Sequence, residues 1–304
     1  MIRFIDTYRN HFGVEAICRT LSTTECGFIT SRGYRAAKTR PASARDLRDE
    51  ILLPEIRRIH ADNYGVYGVR KMWHAMCLAG WDIGRDHLVR LMARAGLQGV
   101  RRGRKPVTTR PASTADRRPD LVERNFTAAG PHRLWVADIT YVRIASGFCY
   151  DAFITDVCTR KIVSWAVAPT LHTQHLPLLA LENALLTTGA DRTETGLIHH
   201  SDRGAQYVSL AYTDALITAG VSASVGTVGD SYDNALAETV NGLYKAELIY
   251  SKSVWPSGTA VEIATLDWVH WWNTARLHGA LGYRTPAEVE ATYTRAQMIA
   301  PATS

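Results

Sequence analysis

The stretch "RLWVADITYVRIASGFCYDAFITDVCTRKIVSWAVAP", residues 133–169, decides the fold of this chain. Two runs rich in β-branched and aromatic residues, "RLWVADITYVRI" and "FCYDAFITDVCT", flank the short segment "ASG", which is typical of a hairpin turn. A third run of the same kind, "KIVSWAVAP", follows. The pattern therefore predicts three consecutive strands that pair antiparallel.

The chain beyond residue 170 alternates between helical and strand patterns. The predicted helices are "TQHLPLLALENALLTTG", "SLAYTDALITAG" and "GDSYDNALAETVNGLYKAELI", and the predicted strands are "GLIHHSD" and "VSASV". The order β-β-β-α-β-α-β-α predicts a mixed sheet with flanking helices, in which crossovers add parallel strands to the antiparallel ones. This is the element order of a ribonuclease-H-like α/β fold.

Three acidic residues stand out on these elements. Asp138 lies inside an apolar strand, where a charge is costly unless it is paired or binds a metal. Asp202 comes at the carboxyl end of "GLIHHSD", where open α/β sheets place their ligands, and Glu238 lies on the helix after the last strand. If the first and fourth strands are neighbours, the two aspartates meet and the helix brings Glu238 across them. Taken singly, each acid is equally well explained as a helix cap, an ion-pair partner or a surface residue.

The three acids together have the chemistry of a metal site. Oxygen ligands without Cys or paired His favour Mg²⁺ or Mn²⁺ over zinc. Two such ions, about 3.5 to 4 Å apart, clamp the attacking and leaving oxygens of an in-line phosphoryl transfer. We therefore predict that these acids bind two Mg²⁺ (or Mn²⁺) ions at one active site.

The helix that carries Glu238 also carries Lys245, seven residues further on. At 100° per residue the two side chains lie within about 20° of each other around the helix, and Asn241 lies between them. We predict that Lys245 and Asn241 contact DNA while Glu238 holds metal. The alternative is a solvent-facing charge pair that only stabilises the helix.

The N-terminal half is strongly basic. Residues 1–130 carry 24 Lys and Arg against 13 Asp and Glu, whereas residues 131–304 carry 11 against 16. The first half thus has an excess charge of +11, which indicates a polyanionic partner, with nucleic acid as the leading candidate.

Two segments of this basic half favour DNA. Residues 64–97 have the pattern helix, Gly-containing turn, helix, which is either a helix-turn-helix motif or an ordinary helical hairpin. The sequel "GVRRGRKPVTTRP", residues 99–111, predicts an extended linker that follows a phosphate backbone or is merely solvated. Its candidate DNA-binding residues are Arg101, Arg102, Arg104 and Lys105.

The cysteine spacing and the hydropathy of the chain argue against a zinc site, a membrane span and a signal peptide. The five cysteines show no zinc-ligand spacing, so we expect reduced core residues. No run of 18 apolar residues exists, and the start "MIRFIDTYRNHFG" is too charged for a signal peptide. We therefore predict no membrane contact and a cytoplasmic protein associated with the nucleoid.

The chain resembles the DDE transposases of the bacterial insertion sequence three family, as the second-reading-frame product, whose core is similar to that of retroviral integrases. The resemblance covers nearly the whole chain, with the "YGVYGVRKMW…VRLMARAGL" block before the core, and 35 residues separate Asp202 from Glu238, as this family requires. The core motifs that carry it are "RLWVADITYV", "HHSDRGAQYVS", "SVGTVGDSYDNALAETVNGLYKAELI" and "RLHGALGYRTPAE".

The resemblance implies roles, a reaction and partners. It assigns Asp138, Asp202 and Glu238 to metal ligation and catalysis, and Lys245 to the transposon-end DNA. It implies Mg²⁺-dependent attack of water to release a 3′-hydroxyl, which then attacks a second phosphodiester. Because two transposon ends must be brought together, the resemblance also implies double-stranded DNA as the partner and at least a dimer of the protein. The resemblance implies that the active transposase is usually a fusion of the second-frame product to an upstream-frame protein. This chain begins at Met1 and has no sustained heptad repeat, so we expect it to be the second-frame product alone.

The sequence predicts five parts: an N-terminal helical segment (1–45), a helix-turn-helix DNA-binding region (46–98), a basic linker (99–130), a ribonuclease-H-like catalytic core (131–250) and a C-terminal helical extension (251–304). Two other functions share these features. One is a nuclease of the same fold that stops after hydrolysis, and the other is a DNA-binding regulator whose core is inactive.

Overall fold

The computed structural model describes residues 1–25, 27–101, 120–122, 125–172, 176–190, 196–202, 206–207, 209–225 and 234–299. The chain divides into two compact units, Met1–Glu55 and Ile56–Ser304. No helix in the described parts of the chain is long and apolar enough to cross a membrane.

Four helices occupy the first 62 residues. Gly13, with a φ of 73°, separates the first two. The third helix lies in a polar, basic stretch and is capped by Thr30, whose hydroxyl accepts the backbone N–H of Gly33. The fourth helix continues through Pro54. Their bounds are α1 Ile2–Phe12, α2 Val14–Ser22, α3 Ser31–Thr39 and α4 Ala44–Asp62.

Two further helices, α5 (Val69–Leu78) and α6 (Arg85–Ala95), form the predicted helix-turn-helix. The turn between them contains Gly80, whose φ of 84° favours glycine, and α6 ends at the left-handed Gly96. Apolar side chains at helical spacing are buried on both helices, so the pair has its own small core. These side chains are Met72, Met76, Leu88, Leu91 and Met92.

A five-stranded mixed sheet forms the centre of the second unit, in the order β3-β2-β1-β4-β5. Strands β1, β2 and β3 pair antiparallel, and β4 and β5 are parallel to β1. This topology confirms the predicted ribonuclease-H-like fold. The bounds are β1 Leu134–Ile144, β2 Gly147–Asp156, β3 Ile162–Ala168, β4 Ile198–Ser201 and β5 Ser222–Val225.

Helices cover both faces of the sheet. Alternate residues of β1, Trp135 and Ala137, pack on one face in a cluster with α7 (Pro177–Thr188) and α8 (Leu210–Thr218). Val136 faces the other way and packs against Ala237. That second face is covered by α9 (Ala235–Glu247) and α10 (Gly258–Thr274), and α11 (Pro286–Ile299) follows. The period-2 pattern of β1 therefore predicted its two faces correctly.

The helix-turn-helix packs against a segment near the C-terminus, which we call the docking segment, residues 271–283. The hydroxyl of Tyr67 accepts the N–H of Leu277 at 2.7 Å. The indole N–H of Trp271 donates to Asn63 at 3.1 Å. His74 of α5 stacks on Tyr283, with 3.6 Å between ring centroids. The "RLHGALGY" motif is thus part of an intramolecular interface.

A buried ion pair connects the docking segment to α9. Arg276 is 4% exposed and Glu247, the last residue of α9, is 8% exposed. The Nε atom of Arg276 donates to both carboxylate oxygens of Glu247, and its Nη2 atom contacts Oε1 as well. Lys71 lies near enough to Glu247 and Arg276 for both charges to act on its pKa. Since burial is the largest effect, the pKa of Lys71 falls to about 8.

The four described cysteines are all free thiols. Cys18 and Cys149 are buried, as predicted, whereas Cys77 is exposed on α5, so its prediction as a core residue was wrong. Cys77 lies one residue beyond the buried Met76, on the solvent side of the helix.

Candidate active site

The register of two parallel strands brings Asp138 and Asp202 to the same edge of the sheet. Ala137 of β1 pairs with Ser201 of β4, and each aspartate is the next residue along its strand. Neighbouring strands lie about 4.8 Å apart, so the two carboxylates start from adjacent backbone positions. The sequence-based expectation that the first and fourth strands are neighbours is confirmed.

The carboxylate of Asp138 is held at both oxygens. Its Oδ1 atom accepts the backbone N–H of Ile139 at 2.8 Å, and its Oδ2 atom accepts the amide of Asn241 at 2.9 Å. Because both partners are donors, they fix the rotation of the carboxylate. The partly buried carboxylate of Asp138 therefore has a fixed orientation at the sheet edge that it shares with Asp202.

The electrostatic environment of Asp138 disfavours its charged form. Burial and the negative charges of Asp202 and Glu238 together raise the pKa of Asp138 to about 8, although its two hydrogen bonds act in the opposite direction. Asp202 and Glu238 thus both lie within electrostatic range of Asp138, and a cation would neutralise the repulsion.

Helix α9 is anchored over this edge by an asparagine at its start. The side chain of Asn234 is buried and donates to the carbonyl oxygen of Ala137 at 2.9 Å, next to Asp138. A polar residue at a helix start is normally a cap, but Asn234 makes no side-chain cap bond. This contact places the first turn of α9, which contains Glu238, beside the end of β1.

The structure gives Asn241 a contact that the sequence did not suggest. Its Nδ2 atom donates to Asp138, and its side chain is 7% exposed. In this orientation the amide nitrogen donates to the carboxylate, as an ionised Asp138 requires. The prediction that Asn241 binds DNA stays a prediction, and its established partner here is the acid on β1.

Lys245 lies two turns along the same face of α9. Its ammonium group is 4.2 Å from the centre of the Tyr141 ring, on β1, at the distance of a cation–π contact. Lys245 also lowers the pKa of the buried Asp151 through its charge. The ammonium is therefore placed between an aromatic face and a carboxyl group, in the neighbourhood of the acid cluster.

The donor chemistry of the three acids fits a hard cation, since all their donor atoms are carboxylate oxygens. In the described residues no group of three His, Cys, Asp or Glu side chains converges closely enough to hold an ion. Asp202 and Glu238 both have further interactions within the structure. The geometry thus supports the proximity of the acids.

The side chains of the two histidines that precede Asp202 contact hydroxyl groups inside the protein. Nδ1 of His200 lies 2.9 Å from the hydroxyl of Ser224, and Nε2 of His199 lies 3.0 Å from the hydroxyl of Tyr212. Both rings are buried, on opposite faces of β4. They support the strand that carries Asp202.

The predicted DNA-binding residues of the linker fall at the limit of the described chain. Arg101 is exposed to solvent. Arg102, Arg104 and Lys105 lie outside the described residues. The sequence did not single out Asp151 or Asn234, because a lone acid or amide in an apolar context has no local signature of its partners.

Family comparisons agree with this arrangement. Two models described as "Integrase core domain" match residues 128–231 and 219–286, and an "HTH-like domain" model matches residues 46–105. Together the two integrase-core matches span the strands, α9 and the docking segment.

The solved structures that match parts of this chain include retroviral integrases. An intasome of simian T-cell lymphotropic virus in complex with the PP2A regulatory subunit B56 gamma has 15% identity and a TM-score of 0.45, over 82% of this chain and 76% of that chain. The HTLV-2 integrase catalytic core in complex with magnesium has 15% identity and a TM-score of 0.41, over 54% of this chain and 99% of that chain.

Curated relatives are much more similar. The transposase for insertion sequence element IS629 of Shigella sonnei is 45% identical over 96% of both chains. A putative transposase for IS986/IS6110 of Mycobacterium tuberculosis is 46% identical, over 84% of this chain and 92% of the relative. With these identities and coverages, the chain belongs to the DDE transposases of the bacterial insertion sequence three family, which carry an integrase core domain.

Proposed function

We propose that Asp138, Asp202 and Glu238 are the catalytic acids with which this transposase cleaves DNA at insertion-sequence ends and joins the freed strand to a target. The observation that carries this proposal is the pairing of Ala137 with Ser201, which places the first two acids side by side. The third acid acts on the pKa of Asp138 from the first turn of α9.

The acids are proposed to bind Mg²⁺ or Mn²⁺, with two ions per site. When bound, such ions stabilise the charge that develops on the attacking and leaving oxygens of a phosphodiester. The protein's own contribution is the orientation of the ligands. Ile139 and Asn241 fix the carboxylate of Asp138, and Asn234 holds α9, with Glu238, against the end of β1.

The proposed substrate is double-stranded DNA. Lys245 is proposed to bind a phosphate near the reacting strand, because its ammonium lies on the same face of α9 as Glu238 and is oriented by Tyr141. Asn241 is proposed to contact DNA from the edge of the acid cluster. The basic residues Arg101, Arg102, Arg104 and Lys105 are proposed to bind backbone phosphates, so affinity should fall steeply with salt.

Assembly follows from the reaction. Two transposon ends must be held together for joining, so we propose at least a dimer on DNA, and an upstream-frame protein as fusion partner. Because the substrate is chromosomal DNA, we place the protein at the nucleoid in the bacterial cytoplasm.

A joining assay tests this function. The full chain, a duplex with a pre-cleaved insertion-sequence end, a target plasmid and Mg²⁺ should give joined product, and Glu238→Gln should give none. Hydrolysis without joining would identify a nuclease. DNA binding with neither reaction, in the wild type, would identify a regulator with an inactive core.

A further inference from the structure

The buried acid Asp151, on β2, is used by none of the steps above. It is fully buried and pairs in register with Thr140 of β1, on the sheet face that α9 covers. Its Oδ1 atom lies 3.3 Å from the hydroxyl of Tyr244, the α9 residue that precedes Lys245. Its Oδ2 atom has no hydrogen-bond partner among the described residues.

Asp151 begins a chain of three oxygen–oxygen contacts that ends on a helix carbonyl. The Tyr244 hydroxyl lies 2.6 Å from the hydroxyl of Thr265 on α10, and the Thr265 hydroxyl donates to the carbonyl oxygen of Val261 at 2.8 Å. Tyr244 and Thr265 are both fully buried. The chain thus connects β2, α9 and α10 in the interior.

A count of the protons along this chain favours a neutral Asp151. The carbonyl of Val261 can only accept, so the single proton of Thr265 is used there. If Tyr244 donates its single proton across the 2.6 Å contact to Thr265, the contact between Tyr244 and Asp151 contains a proton only if the carboxyl group supplies it. If Tyr244 instead donates to an ionised Asp151, the 2.6 Å contact between the two hydroxyl groups contains no proton, and Oδ2 of a buried, charged carboxylate has no hydrogen-bond partner among the described residues.

We propose that Asp151 is a positioning residue that acts as a neutral carboxylic acid, donating to Tyr244 and thereby holding α9, with its Glu238 and Lys245, at a fixed position over the sheet. The inference rests on the function proposed above, because it concerns the helix that carries two of the proposed site residues. The energetics agree: burial raises the pKa of Asp151 to about 7, against smaller opposing effects of Tyr244 and Lys245.

The groups that face Asp151 are few. From α9 they are Tyr244 and Lys245, and from its own strand Cys149, whose pKa burial raises to about 12. From α10 the neighbour is the uncharged Thr265, while the titratable residues of that helix are exposed. If Asp151 ionises, the cation that acts on it is Lys245, which is otherwise placed over Tyr141. Ionisation therefore both breaks the chain and attracts the proposed DNA-binding lysine.

The test compares wild type, Asp151→Asn and Asp151→Leu from pH 6 to pH 9. An asparagine is a permanent neutral donor of the same shape, whereas leucine cannot donate. Thermal unfolding is measured in metal-free buffer without DNA. Above about pH 4 the unfolded chain ionises this carboxyl group, whereas the folded protein holds it neutral up to about pH 7, so wild type loses stability relative to Asp151→Asn as the pH rises through this range. The unfolding midpoint of Asp151→Asn should therefore gain on that of wild type between pH 6 and pH 8.5, and Asp151→Leu should lie below Asp151→Asn throughout. Parallel curves for wild type and Asp151→Asn would overturn the proposal.

Two further readouts separate positioning from stability. The infrared difference spectrum of wild type against Asp151→Asn should show the carbonyl stretch of a protonated acid at pH 6, and its absence would contradict the proposal. At pH 8 a group of pKa about 7 is roughly tenfold more ionised than neutral. The ratio of the joining rate of Asp151→Asn to that of wild type should therefore be several-fold larger at pH 8 than at pH 6.

Identical pH profiles of joining in the two proteins would reject the positioning role. A wild type that joins no DNA at any pH would reject the proposed function, and the unfolding curves and infrared band would still report the proton on Asp151.

Discussion

The amide nitrogen of Asn241 donates a 2.9 Å hydrogen bond to Oδ2 of Asp138, so α9 contacts one of the proposed catalytic acids directly and also carries another, Glu238. This contact predicts that substitution of Asn241 affects joining more strongly than DNA binding. Asn241→Leu should reduce joining at least tenfold, because Asp138 loses the donor that fixes its second oxygen, and it should reduce DNA affinity by a clearly smaller factor, through loss of the proposed DNA contact alone. Joining rate and duplex binding should be measured side by side. Equal losses in both would show that Asn241 acts chiefly through DNA.

Asp202→Asn should abolish joining and at the same time stabilise the folded protein. The negative charge of Asp202 raises the pKa of Asp138, so its removal relieves a repulsion on the order of 1 kcal/mol. Thermal unfolding in the presence of a chelator measures this effect. A lower midpoint for Asp202→Asn would show that the carboxylate stabilises the fold, and retained joining would remove it from the site.

Lys245→Ala should weaken joining while the three acids remain in place. Lys245→Arg should keep much of the activity, because a guanidinium also contacts an aromatic face and a phosphate. If the lysine only stabilises α9, the Ala variant should lose at most about 0.5 kcal/mol and join normally. Joining of a pre-cleaved end, compared with the unfolding midpoint of each variant, distinguishes the two roles.

Glu247→Gln should destabilise the protein by about 3 to 5 kcal/mol, because it leaves Arg276 buried without its counter-charge. A matched control is Glu290→Gln, which breaks the 2.7 Å pair with Lys161 at a site where both side chains are about 30% exposed. That change should lose about 1 kcal/mol or less. Urea unfolding gives both values, and similar losses would contradict the buried role of Glu247.

Acid should destabilise the docking segment through His278. Burial and the charge of Arg276 lower the pKa of His278 to about 3, and its Nε2 atom lies 3.2 Å from the carbonyl of Trp272. The folded protein thus holds this ring neutral, whereas the unfolded chain protonates it near pH 6.5. Its contribution to stability is complete above pH 6.5 and is lost as the pH falls toward 3, by about 2 kcal/mol at pH 5. His278→Gln should reduce this part of the acid sensitivity, and an unchanged pH dependence would refute it.

The sequence predicted the sheet because its evidence is local. The residue pattern along 133–169 predicted the strands, and Gly189 ends α7 where the predicted helix stops. The helix α3 lies within the predicted N-terminal helical segment, but its bounds were not predicted, because its sequence is polar and basic and its start depends on a single cap at Thr30. Propensity alone is a weak guide in such a segment.

The sequence singled out candidate site residues only where one residue is conspicuous in its local context. An aspartate within an apolar strand is conspicuous, so Asp138 was a candidate, whereas the contacts of Asn234 and Asn241 depend on partners about 100 residues away. The same holds for the docking segment, where Tyr67 and Leu277 are 210 residues apart. Pairings of that range leave no periodic trace in a single sequence.

The interface between the helix-turn-helix and residues 271–283 constrains how the helix-turn-helix can be exchanged between relatives. His74 on Tyr283 and Tyr67 on Leu277 make the two segments complementary surfaces. A chimera that imports only the N-terminal half of a relative would bring one surface without its counterpart. Transplanting the helix-turn-helix therefore requires moving both segments together, although Tyr67 and Leu277 are 210 residues apart in the chain.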